Sequence, residues 1–371
     1  MNAPVSRLLR QLEARIASAS SRLSQDCLLA ERACYRARQG FLAEAEETIN
    51  VLRKRYQSDP KDVLSARINL AEGLLRHFRD MHSLSREKFH RAYALSEISE
   101  NNDLIALTAA WLAHVEYLCG DFELMAKHLH RSIQTSSPTN HAALSRSSLV
   151  AADAFHLAGR LDLAQPWYTK ARVHANTEGD DATTSAFLHN MAWLRAANLR
   201  QTQFCGLAQS PGGEHALISA NSVLHFDQIV GTNSLNSLVP ILQAQILSLL
   251  GESEQALRLY EEHLDLAVRE GLNRMHSSLL ADQAWCRLQT GDIVAAIRDA
   301  VAAQDLMDPK AHPDDRASSH SRLSQVFGAT GNLESQKRHA ELAEEAWKMH
   351  STMQHTILNC LASLPSELSD R

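Results

Sequence analysis

Glycine and proline are scarce in this chain. Fourteen glycines and nine prolines in 371 residues are about half the average share of roughly 12%, which disfavours a fold made of many tight turns. Aromatic residues are also few, at 5%, and this disfavours a β-sandwich or barrel, since strands are enriched in them. No run of about 18 apolar residues occurs, so no membrane span is expected. The opening MNAPVSRLLRQLEARIASA lacks the apolar stretch of a secretory signal. The six cysteines, Cys27, Cys34, Cys119, Cys205, Cys286 and Cys360, include no C-x-x-C pair, so no disulfide framework is expected. Reduced thiols in a cytoplasmic protein are the plain reading.

Charge of one sign is also missing. There are 37 Lys and Arg against 43 Asp and Glu, a net charge of −6, with the signs interspersed. Without a basic stripe, nucleic acid is not an expected partner. The motifs of catalysis are absent as well. There is no G-x-x-x-x-G-K-[ST] phosphate loop, no H-E-x-x-H, and no Cys–His set with zinc spacing. Histidine is abundant at 19, but the closest groupings are His128 with His130, His77 with His82, and His350 with His355. Residues two apart on a helix face different directions, so no metal or other cofactor is expected. Nothing in the spacing pairs Cys34 or Cys286 with a base. The expectation is a protein that is not an enzyme.

What the chain has is helix-forming composition and a period. Turn-like glycines stand at Gly40, Gly120, Gly159, Gly251, Gly291 and Gly331, spaced 80, 39, 92, 40 and 40 residues apart. The first gap is two units, with its midpoint at Asp80. The 92-residue gap is two units plus an insert, LRQTQFCGLAQS at 199 to 210, read as a longer helix end or a loop; the next turn is Pro211-Gly212-Gly213. Seven residues before each turn stand Ala33, Gly73, Ala113, Ala152, Ala244, Ala284 and Ser324, all small. Five after it stand Ala45, Ser85, Ala164, Ala256 and Ala296, with Met125 and Gln336 as exceptions. Two antiparallel helices approach closely only where both present small side chains. Glycine ends the first helix in a left-handed cap, and a following Asp or Asn caps the second. The expected organisation is about eight helix-turn-helix repeats over 21–350. An N-terminal capping helix lies within 1–20, and a C-terminal capping helix (about 352 to 363) and tail lie within 351–371. Such caps close the apolar ends of an array.

Units such as LSLLGESEQALRLYEEHL and CRLQTGDIVAAIRDAVAA resemble the tetratricopeptide repeat: a small residue in the first helix, a Gly-Asp-like turn, then Ala, an aromatic and Ala in the second. The first-helix Trp-Leu-Gly-Tyr pattern is mostly absent, the closing Pro is missing, and the period is 40 rather than 34. The long units resemble the helical superhelix of bacterial signal-transduction regulators, including those joined to LuxR-type DNA-binding or diguanylate-cyclase domains. No GGDEF motif or helix-turn-helix tail is found beside it. The resemblance implies one all-α, right-handed solenoid. It also implies a bacterial protein- or peptide-binding scaffold whose first helices line a concave groove.

In that register, residues 13, 9 and 6 positions before each turn face the groove. The chemically telling ones are Arg67 and Arg146 at the first position, Trp111, Asp282 and Arg322 at the second, and His114, Asp153, Gln245, Trp285 and Gln325 at the third. Asn190 and Trp193 join them through the shared MAWLR and QAWCR patterns. Asn and Arg here resemble the groups other repeat proteins use to hold a peptide backbone or carboxylate. Each tryptophan has two readings, a ligand anchor or packing between helices, and each of Arg67 and Arg146 reads as a groove residue or an intramolecular ion pair. A second functional class stays open: a small-molecule sensor, or a regulatory phosphatase-like enzyme built on the superhelix, using His114, Asp153 or the segment around Phe204 and Cys205.

Overall fold

A computed structural model describes residues 6–80, 84–206, 213–231 and 238–364. Among them there is no β-strand. Helices account for nearly all of it: α1 (Arg7–Ala17), α2 (Arg22–Arg38), α3 (Leu42–Arg55), α4 (Asp62–Asp80), α5 (Leu84–Ile98), α6 (Asn102–Cys119), α7 (Phe122–Thr135), α8 (His141–Leu157), α9 (Leu161–Glu178), α10 (Asp181–Phe204), α11 (Gly213–Val230), α12 (Leu238–Leu250), α13 (Ser253–Arg269), α14 (His276–Gln289), α15 (Ile293–Asp305), α16 (Pro313–Ala329) and α17 (Leu333–Leu361). A single 3-10 turn, Leu272–Met275, leads into α14.

The six expected glycine turns share one geometry. Gly291 has φ +92°, and the other five lie between +74° and +87°. This left-handed conformation is cheap only for glycine. The next residue's N–H then closes the helix end, as in Asp292 N–H to the Arg287 carbonyl at 2.9 Å and Asn332 N–H to the Phe327 carbonyl at 2.9 Å, the bond of a Schellman cap. Asp121, Asp292 and Asn332 then accept from the N–H three residues on, at 3.2, 3.0 and 3.0 Å. One short sequence thus stops one helix and starts its antiparallel neighbour.

The small residues sit where the paired helices cross. Ala33, Ala113, Ala152, Ala244 and Ala284 are all buried, as are Ala45, Ala164, Ala256 and Ala296 on the second helices. Gly73 is closer still: a Cβ there would meet the Phe89 ring at 2.8 Å. Small hydroxyls bond the facing backbone, as in Ser132 Oγ to the Ala106 carbonyl (2.8 Å) and Ser324 Oγ to the Gln336 carbonyl (3.0 Å). A leucine in place of Ala284, which is wholly buried against Ala300, Ala303 and Leu323, is expected to overpack the α14–α15 crossing. The cost should be about 1–3 kcal/mol, read as a lower urea-unfolding midpoint. An unchanged midpoint would remove Ala284 from the close contact.

Two helix ends differ from the expectation. The helix expected at about 183 to 199 continues to Phe204, so the first part of the 199–210 insert is helix; residues 207–210 lie outside the described residues. The closing helix expected at about 352 to 363 is not separate but the end of α17, which runs unbroken for 29 residues because no glycine or proline interrupts it. Residues 81–83, next to the turn expected near residue 80, lie outside the described residues, as do Pro211 and Gly212.

The chain divides into two compact units. The first comprises Met1–Phe187, His225–Ser234 and Ile357–Arg371, and the second Leu188–Leu224 and Leu235–Thr356. In the first unit, α1 docks its Leu8, Leu9 and Leu12 against Tyr35 and Ala182, while Ser6 caps α1 and accepts from the Tyr35 hydroxyl at 2.7 Å. The second unit has successive cores around Ala192–Val223–Leu242, Ile241–Tyr260–Met275 and Ala284–Ala303–Val326.

Candidate functional site

In the first unit, the start of α10 lies beside α2, although 142 residues separate Arg38 from Asp180. Arg38 pairs with Asp180 at 2.6 Å and also donates to Thr183 at 2.9 Å. The first helices α2, α4, α6 and α8, with α1 and the end of α9, enclose a cavity of about 260 Å³. Arg67, Trp111 and Arg146 of the twelve candidates line it, with Glu31, which stands nine residues before Gly40 in the same register, and with Arg15, Arg38, Glu178 and Asp180, which the periodicity did not single out. They were missed because their placement depends on α1 and α9–α10 reaching α2, which no local spacing encodes.

Arg146 is 4% exposed and makes no ion pair among the described residues. Its guanidinium carbon lies 3.9 Å from the centre of the Trp111 ring, a cation–π contact. Burial and the like charge of Arg38 push its pKa down to about 9, with Asp180 and Asp153 opposing, so it is a cation at neutral pH. Arg67 shares Glu31 with Arg15, at 3.3 and 3.2 Å. Trp111 is buried, stacked on Phe89 at 5.9 Å. His114 lies edge-on to Trp111 and to His77 at 5.6 and 5.2 Å, and it is not among the lining residues. Burial, then Arg146 and His77, hold its pKa well below 6.5. Asp153 is buried and accepts from the Tyr168 hydroxyl at 3.0 Å.

In the second unit the structure gathers a different set. Arg322 is 1% exposed. Its Nε donates to Asp282 at 2.8 Å, Nη1 to Gln325 at 2.9 Å and Nη2 to Ser248 at 3.4 Å. The guanidinium is sandwiched by Trp285 at 5.2 Å and Phe204 at 4.9 Å. Trp285 is half-buried and Gln325 exposed, so this network ends at the surface. Gln245 is buried nearby in sequence register, on α12, with neither amide atom hydrogen-bonded. Trp193 is half-buried, stacked on His189 at 6.0 Å and packed against two of the cores; Asn190 is half-buried one turn earlier on α10. The candidates therefore fall into two sets, one in each unit.

Among the described residues no group of three His, Cys, Asp or Glu is arranged to hold a metal ion, and no helix is long and apolar enough to cross a membrane. Burial pushes the thiols of Cys34 and Cys286 up to about 12 and about 11, so neither is a thiolate nucleophile at neutral pH.

No family model matches the chain, and no curated protein matches it. Solved structures do. A Rap protein complexed with Competence and Sporulation Factor superposes with TM-score 0.55 at 9% identity, over 89% of this chain and 99% of that one. The fold is a tetratricopeptide-type α-solenoid. A signal-transduction ATPase with numerous domains and a tetratricopeptide repeat sensor, from Pyrococcus horikoshii, superposes with TM-score 0.52 at 12% identity over 95% of this chain. The present chain spans about half of that protein, 54%.

Proposed function

We propose that the protein is a non-enzymatic repeat scaffold that takes a protein segment or peptide on surfaces lined by its first helices. In this reading the helix pairs of residues 21–350 act as one array in a cytoplasmic, bacterial signalling or regulatory adaptor, without nucleic acid or membrane as partner. The observation that carries it is the fixed Arg322 network, in which a buried guanidinium held by Asp282 and Gln325 stiffens a half-buried Trp285 and an exposed Gln325. A rigid aromatic beside a pre-positioned polar group loses little entropy on contact and is the make-up of an interface hot spot. The complexed Rap protein and the ATPase's tetratricopeptide repeat sensor support a binding role by analogy of fold.

The expected outcome is that Trp285→Ala weakens a partner captured from the native host by on the order of thirty-fold, with Asn190→Ala as a second variant on α10. Recovery of the same partner at equal affinity by both variants would remove these residues from the binding surface. A second reading, a small-molecule sensor, is favoured by the cavity of the first unit and is compatible with the first.

A further inference from the structure

The cavity of the first unit holds two charged groups, Arg146 and Glu178, that make no ion pair among the described residues. Arg38 is matched by Asp180, and Arg15 and Arg67 share the one carboxylate of Glu31, with Arg15 and His141 also attracting Glu178 from a distance. Asp103 stands at the exposed rim and accepts from Ser137 at 2.9 Å. That leaves the buried Arg146 and, across the lining, Glu178 at the end of α9, half-buried and without an ion pair among the described residues. Burial, then Glu31 and Asp180, push the Glu178 carboxyl up. A buried unpaired cation is costly, and it persists where a ligand completes it. The two groups do not pair with each other, so a single ligand carrying both charges would complete both.

The remaining wall is mixed: leucines of α1, α4 and α6 form an apolar part, and Tyr35, Asn140, His141 and Thr183 a polar one. The volume of about 260 Å³ lies just below the roughly 300–1,000 Å³ of drug-sized sites, so the occupant is small. A dianion such as phosphate would face Glu31, Glu178 and Asp180 with one free arginine to meet it. A purely cationic ligand would leave Arg146 unmet.

We propose that this cavity binds a small zwitterion, a free α-amino acid or dipeptide with an apolar side chain. Its carboxylate meets Arg146, its ammonium meets Glu178, and its side chain lies against the leucines of α1, α4 and α6. The Arg146–Trp111 stack holds the guanidinium in place before the ligand arrives, which lowers the cost of binding.

Isothermal titration calorimetry of the full chain tests this with four probes: L-leucine, the dipeptide Leu-Leu, L-leucinamide and N-acetyl-L-leucine. The expected result is saturable binding of L-leucine or Leu-Leu, with both blocked compounds at least ten-fold weaker. Glu178→Gln should weaken the free ligand at least ten-fold and leave N-acetyl-L-leucine unchanged. Arg146→Met should weaken the free ligand and leave L-leucinamide unchanged. Should Arg146→Met fail to fold, Glu178→Gln decides, since Glu178 is half-exposed and holds no ion pair. Blocked compounds binding as tightly as the free ones would overturn the proposal. So would no binding of any probe to the unmodified protein, no effect of Glu178→Gln, or inorganic phosphate binding in preference to L-leucine. None of these outcomes bears on the Trp285 surface, which lies in the other unit.

Discussion

Replacing Arg322 with methionine is expected to destabilise the second unit by about 3–5 kcal/mol, the cost of leaving a buried charge unpaired. The stranded group is Asp282, 3% exposed, whose carboxylate accepts from Arg322 Nε at 2.8 Å. Gln325 and Ser248 lose their donor as well, and Phe204 and Trp285 lose the plane between them. The double variant Arg322→Met with Asp282→Leu should recover most of the loss, because an apolar pair of similar volume replaces a buried ion pair at little net cost. The check is the urea-unfolding midpoint of the single and double variants. Equal losses in both would mean that Arg322 acts by packing alone and that the network does not hold Trp285 in place.

Acid is expected to weaken the same unit by about 3 kcal/mol between pH 7 and pH 5. His189 and His320 are each 7% exposed, and burial pushes both down to about 4. His320 also faces His339, their Nδ1 atoms 2.9 Å apart, with Arg316 and Arg338 repelling a proton. The unfolded chain binds these protons at about 6.5, so it holds more protons than the folded chain at every pH between 6.5 and 4. Stability is therefore full above 6.5, falls as pH drops, and stops falling near 4. At pH 5 each histidine costs about 2 kcal/mol. One group opposes this: burial and the neighbouring Asp314 raise Asp315 to about 6, and a raised carboxyl takes its proton more readily when folded. That returns about 1 kcal/mol at pH 5, so the histidines win. His320→Asn should flatten the slope; a midpoint independent of pH would contradict the burial of these rings.

The array was legible in the sequence because steric need writes it there. Close helix crossings demanded Ala, Gly or Ser seven residues before each turn, and the left-handed caps demanded glycine. What the period could not carry is what depends on distant closure. Arg146 and Arg67 share a register position, yet Arg67 pairs with Glu31 and Arg146 makes no ion pair among the described residues. The difference arises because α10 delivers Asp180 to Arg38 rather than to Arg146. The three tryptophans likewise share a pattern and differ in setting. Trp111 is buried under an arginine, Trp193 packs between cores, and Trp285 is half-buried beside an exposed glutamine. The spacing left the end of α10 open between a longer helix and a loop and set the closing helix apart from α17, because a helix without a breaker runs on until packing ends it.

Site-specific photocrosslinking in the native host tests the scaffold reading most directly. A crosslinker at Gln325, beside Trp285, is compared with one at Glu341, exposed on α17. The account predicts a discrete crosslinked partner from position 325 that is lost with Trp285→Ala, and none from 341. Equal crosslinking from both positions, or a product indifferent to Trp285→Ala, would contradict it.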